Sequence, residues 1–181
     1  KPLEDVRAFL ESSGNYFDKL EIAAEQCRKE ANLRAGFVFA DLAAWVYKTH
    51  AIQTRVMPIS VMGSLLRQFD FHRNRILLSE AMPEEMRLFQ LGVQIALVRC
   101  QTEIDSIVEE SKIINIESQN LLKRTLSSYF AGCLMMPYES FLAATQETKY
   151  DLEQLEYRFG ASFEQICHRI TTLNRPGARG I

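Results

Sequence analysis

The residues best placed to do chemistry in this sequence lie in one apolar stretch, RLFQLGVQIALV (87–98). Its length and apolar content predict a buried helix, yet Gln90 and Gln94 stand one turn apart on it. With Arg87 and Gln101 they make a polar stripe at helical period, beside Val93 and Leu97. Such a stripe fits either a thin solvent-facing edge or the polar lining of a cleft, and the pattern does not separate the two. A glutamine cannot act as a base, so the chemistry open to this face is hydrogen bonding.

Other chemistry finds little support. The cysteines Cys27, Cys100, Cys133 and Cys167 are widely spaced, unlike a zinc knuckle or a disulfide framework, and read as buried reduced thiols. Cys167 and His168 are neighbours on a predicted helix, where side chains diverge by about 100°, a poor geometry for a dyad. His50, His72 and His168 have no partners at metal-ligand spacing. The GARG stretch follows a helix instead of opening one, so it is no phosphate loop. LEQLEYRFGASFEQICHRITTL (152–173) has a helix-turn-helix outline, but its second helix carries Glu164 and only His168 and Arg169 as basic groups, fewer than a helix that reads DNA usually presents.

The elements that position these residues form a mostly helical α+β chain. At 181 residues, 47% hydrophobic and 24% charged, it is long enough for one domain with a real core. A net charge of −2 is a weak footprint for holding nucleic acid unaided. No apolar run reaches the roughly 18–20 residues needed to cross a bilayer, and there is no secretory signal pattern. Both ends read as cut, so the chain is expected to be part of something longer. Two helical stretches flank Gly14 within residues 2–32, and residues 37–50 form a third helix. Residues 52–58 form a β run ended by Pro58, and a hairpin follows with strands 65–71 and 75–79 about a turn near Asp70 to Asn74. Pro83 with Glu84 and Glu85 opens the helix that runs to about Cys100. Helix resumes around 103–107 and again from 117 to 136, where Pro137 stops it. Gly160 closes YDLEQLEYRF, and Ser162 with Gln165 makes a capping box for the last helix, before the turn NRPGARG. The expectation is about eight helices around one small sheet.

In that setting SSYFAGCLMMP (127–137) resembles a conserved segment of the ImmA/IrrE-type zinc metallopeptidases. MRLFQLGVQIALV (86–98) is similar to the helix on which that family carries His-Glu-x-x-His, two zinc ligands and a general base. Here the first His position is Val93, the Glu is Gln94 and the second His is Leu97. No carboxylate stands near Arg124 to Leu126, where the third ligand would fall. The resemblance implies a peptidase fold with its zinc site lost, with no catalytic residue and no metal.

A second resemblance covers nearly the whole chain. LLRQFDFHRNRILLSE, YFAGCLMMPYESFLAA and above all RFGASFEQICHRITTLNRPGARG are similar to the short-chain fatty acyl-CoA regulators. These are transcription factors of propionate and acetate metabolism, among them the methylcitrate-cycle and glyoxylate-bypass regulators. The resemblance implies a cytoplasmic, homodimeric protein whose middle domain binds short-chain acyl-CoA while a separate N-terminal helix-turn-helix reads DNA. Some members hold an iron–sulfur cluster in a C-terminal region; the cysteines here lack cluster spacing, so no cofactor is expected. Residues 1–36 would serve as linker or dimer contact and residues 37–181 as the sensing core. In the emptied zinc cleft, Val93 and Leu97 would wall the acyl group, Gln90 and Gln94 would donate amide hydrogens, and Tyr129 would stand opposite. Phosphate contacts would come from Arg67, Arg73 or Arg75 on the hairpin, or from Arg169, Arg175 and Arg179 near the last turn. Two readings stand beside this one: a zinc metallopeptidase acting on a repressor, and a purely structural dimerisation module.

Overall fold

The long helix predicted to end at Pro137 is the axis of the molecule. A computed structural model describes residues 1–181, and in it α7 (Ile116–Met135) is the element around which the others gather. Leu122, Leu126, Phe130 and Leu134 repeat every fourth residue along α7 and are fully buried. Each such side chain contributes about 1.5–3 kcal/mol by leaving water. Asn115 caps the helix by accepting the Ser118 N–H at 2.9 Å, and Met136 and Pro137 end it.

Before it come α1 (Pro2–Ser12), α2 (Asp18–Ala31) and α3 (Phe39–His50). Phe17, Leu20, Ala24 and Cys27 bury one face of α2, and they belong to the same core cluster as the side chains of α7. The packing therefore runs without a gap across residue 36: the first helices share the interior with everything after them.

Then follow β1 (Gln53–Met57), α4 (Ile59–Met62), β2 (Arg67–Asp70) and β3 (Arg75–Ser79). The expected hairpin is present, with Asp70 Oδ1 accepting the N–H groups of His72 and Arg73 to hold the turn. β3 is the central strand, parallel to β1 and antiparallel to β2, with Ile76, Leu77 and Leu78 all buried. α5 (Glu84–Arg99) packs on β3 and against α7.

After α5, α6 (Gln101–Glu110) precedes α7, and α8 (Tyr138–Glu147), α9 (Leu152–Phe159) and α10 (Phe163–Ile170) follow it. The capping box of Ser162 and Gln165 forms, and Gly160 takes the left-handed conformation (φ 59°) that ends α9. α9 and α10 pack on each other and α10 reaches α7, the packing role expected for that pair.

Three details differ from expectation. The turn NRPGARG pairs with itself as β4 (Asn174–Arg175) and β5 (Ala178–Arg179), a second small sheet made possible by Gly177 at φ 80°. Pro58, which ends the β run as expected, also caps the short α4, a helix not anticipated between the run and the hairpin. The stripe of Arg87, Gln90, Gln94 and Gln101 is interrupted because Cys100 (φ −114°, ψ 19°) breaks the helix, leaving Gln101 on α6.

The α5–α7 contact is close because Gly92 has no side chain. A Cβ there would lie 3.0 Å from Ala131 Cβ and 3.2 Å from Ala131 Cα, whereas one on Gly132 would meet nothing within 4 Å. Gly92→Ala should therefore cost about 1–3 kcal/mol through overpacking. Gly132→Ala should gain up to about 1 kcal/mol from helix propensity alone. Urea denaturation of the two variants checks the opposite signs.

Candidate functional site

Gln90, Val93, Gln94 and Leu97 occupy one face of α5, at the spacing that brings side chains together over two turns. Val93 and Gln94 are buried, while Leu97 is 38% exposed. The two amides face β2. Arg67 Nε donates to Gln90 Oε1 at 3.2 Å and Arg67 Nη1 to Gln94 Oε1 at 2.7 Å. The glutamines thus accept hydrogen bonds through their carbonyl oxygens, the reverse of the donor role expected of them. Burial pulls the Arg67 guanidinium below its ordinary pKa.

At the two histidine positions of the family stand aliphatic side chains, Val93 and Leu97, which supply no zinc ligand, and an amide, Gln94, stands at the position of the base. No set of three or more His, Cys, Asp or Glu side chains comes together in a metal-holding arrangement.

Tyr129 does not stand opposite these residues. It projects from α7 toward α2 and α10, where its hydroxyl donates to Glu21 Oε2 at 2.5 Å and accepts the Phe17 N–H at 3.1 Å. Burial, chiefly, holds the phenol far above its ordinary pKa, so it remains a donor. Glu21 in turn receives Arg169 in a two-pronged pair, Nη2 to Oε1 at 2.8 Å and Nη1 to Oε2 at 2.9 Å. Arg169 also donates to Met136 O at 2.9 Å and Thr172 Oγ1 at 3.0 Å, with the Tyr129 and Tyr138 rings on either side. This arginine is structural and has no free edge for a phosphate.

Of the other expected phosphate donors, Arg73, Arg75 and Arg175 are also engaged. Arg73 and Arg75 both pair with Asp70, at 3.3 and 3.2 Å. Arg175 donates to Tyr16 Oη at 2.7 Å and lies 4.1 Å over the Tyr138 ring. Arg179 is exposed on β5. Sequence reasoning missed Glu21. Its signal was present, since a carboxylate on the apolar stripe Phe17–Leu20–Ala24–Cys27 needs a buried partner.

A small apolar space lies beside this network. Tyr129, Gly132 and Met136 share one face of α7, His168 and Thr172 project from α10 and the turn after it, and Phe89 closes the side from α5. Together they line a cavity of about 240 Å³. Tyr129, His168 and Thr172 also border a wider groove of about 570 Å³ that runs along α1 past Arg7. The small apolar cavity and the wider groove thus share three lining residues, and the groove carries Arg7 and Glu11 on its wall.

Fold and site together define a metallopeptidase-like domain whose metal positions carry side chains unable to bind zinc. Residues 47–171 match the IrrE N-terminal-like domain family, and the chain belongs to that family. The chain is 32% identical over 180 residues to the HTH-type transcriptional regulator PrpR of Mycobacterium tuberculosis, covering 99% of this chain and 37% of that protein. It is 33% identical over 180 residues to the propionyl-CoA carboxylase regulator of Cereibacter sphaeroides, with the same coverage of 99% and 37%. A solved structure of a Mycobacterium tuberculosis transcriptional regulator superposes with a TM-score of 0.95 at 31% identity, covering 100% of this chain and 55% of that one. The chain thus spans 37% of the length of each of these curated relatives.

Proposed function

We propose that this domain is the ligand-sensing part of a bacterial transcription regulator of propionate or acetate metabolism, and that its ligand is a short-chain acyl-CoA. The observation that carries the reading is the 240 Å³ apolar cavity, which shares Tyr129, His168 and Thr172 in its lining with the 570 Å³ groove. A propionyl or acetyl group needs a small apolar chamber, and the pantetheine and nucleotide need a longer channel ending near positive charge. Arg7 and His168 are the basic side chains along that channel. The names of the relatives, HTH-type regulators and a propionyl-CoA carboxylase regulator, support the metabolic assignment. The loss of every zinc-ligand type at Val93 and Leu97, and of the base at Gln94, supports a sensor without catalysis. The protein acts in the cytoplasm as a homodimer, with DNA bound by a helix-turn-helix domain outside this chain. Ligand binding shifts the balance between two states of the regulator by its different affinity for each.

Calorimetric titration with propionyl-CoA, acetyl-CoA and free CoA tests this. The expected result is saturable binding, with the two acyl-CoA forms differing by no more than about 10–200-fold, the range one methylene allows. Absence of binding by all three would defeat the reading, and about one tightly held zinc per chain would favour the peptidase alternative.

A further inference from the structure

The face of α5 that holds zinc in peptidases is built here for an anion. None of the chain's ion pairs includes Arg67, although Arg73, Arg75 and Arg99 nearby each have a carboxylate. Only neutral amide oxygens hold its guanidinium, through Nε and Nη1, so Nη2 is left without a partner. The amide nitrogens of Gln90 and Gln94 make no hydrogen bond either, and Gln94 is 95% buried, with 5% of its surface exposed. Neither nitrogen is sealed from solvent, because neither is among the fully enclosed unpartnered atoms. One positive charge and three donor groups therefore have no acceptor within the protein. Donors that only solvent reaches, beside a cation with no counter-ion, are open to a ligand that supplies a charged acceptor.

We propose that the Arg67–Gln90–Gln94 cluster binds a small monocarboxylate with a short aliphatic tail, at a site separate from the cavity beneath Tyr129. The charge balance selects a monoanion: one guanidinium neutralises one carboxylate, while the second charge of a phosphate dianion would stay half-buried without a counter-ion. The planar carboxylate matches the guanidinium edge. Val93 and the half-exposed Leu97 lie on the same helical face and would cover two or three methylenes of tail.

Thermal melting and calorimetry with acetate, propionate and butyrate test this, with chloride and inorganic phosphate as controls at equal ionic strength. Saturable protection by the carboxylates, rising with tail length, is the expected result. Gln94→Glu supplies a carboxylate within the protein and Arg67→Met removes the cation. Each should weaken carboxylate binding about tenfold or more, the loss of one charge-assisted pair. Gly132→Leu, which fills the separate cavity, should leave carboxylate binding unchanged. Equal responses to chloride and carboxylate, tighter binding of phosphate, or protection that survives in both site variants would overturn the proposal.

Discussion

Glu21→Ala is expected to lower the free energy of unfolding by about 3–5 kcal/mol, the usual cost of stranding one half of a buried ion pair. The side chains of Arg169 and Glu21 are 2% and 3% exposed, so water cannot take the carboxylate's place. Arginine does not shed its proton at any pH a folded protein meets. Met136 O and Thr172 Oγ1 would still accept two of its hydrogens, but neither carries charge. Tyr129 would lose its acceptor in the same step. Urea denaturation at neutral pH measures the change, and a loss below about 1 kcal/mol would mean that the guanidinium finds solvent. A cycle adds a sharper check. Glu21→Leu combined with Arg169→Met should recover most of the loss, because apolar residues of similar volume often replace a buried pair at little cost.

Gly132→Leu is expected to weaken propionyl-CoA binding by roughly a hundredfold, toward the upper end of what one misfitting aliphatic group produces. A Cβ on Gly132 would meet nothing within 4 Å and Gly132 lines the cavity, so the new side chain is expected to project into it. Leucine is also a better helix former than glycine by somewhat under 1 kcal/mol, so the variant should melt no lower than the parent. Calorimetry and circular dichroism on the same sample separate lost binding from lost folding. Unchanged affinity in a stable variant would place the acyl group outside this cavity.

Much of the architecture is legible in the residues themselves. Pro83 with two glutamates, Ser162 with Gln165, Gly160 and Pro137 each mark a helix end that the structure keeps. These signals act over one turn of chain, so they are present in any short window. The site is less legible because its pairings are not local. Gln90 and Gln94 announce a polar face, but that they accept from Arg67 depends on β2 lying across α5. Arg169 reads as a surface cation until α10 folds it against Glu21. Arg73 and Arg75 are the instructive case. Asp70 stands three and five positions away, near enough for the pairing to have been read from the sequence. The cavity had no sequence signature, since it arises where faces of α5, α7 and α10 fail to meet.

The Glu21–Arg169 pair spans 148 positions, and Asn174 Nδ2 donates to Gly14 O across 160. Loops of that length close only after the local helices are in place, because their closure entropy must be met before the contact forms. Contacts that form late are expected to be absent from the folding barrier, so weakening them should speed unfolding while leaving the folding rate nearly unchanged, which stopped-flow rates of Glu21→Ala would check. The tie between the second helix and the tenth therefore sets a lifetime. It governs how long the native chain stays shut between openings, and with that its exposure to proteolysis when opening is slow to reverse.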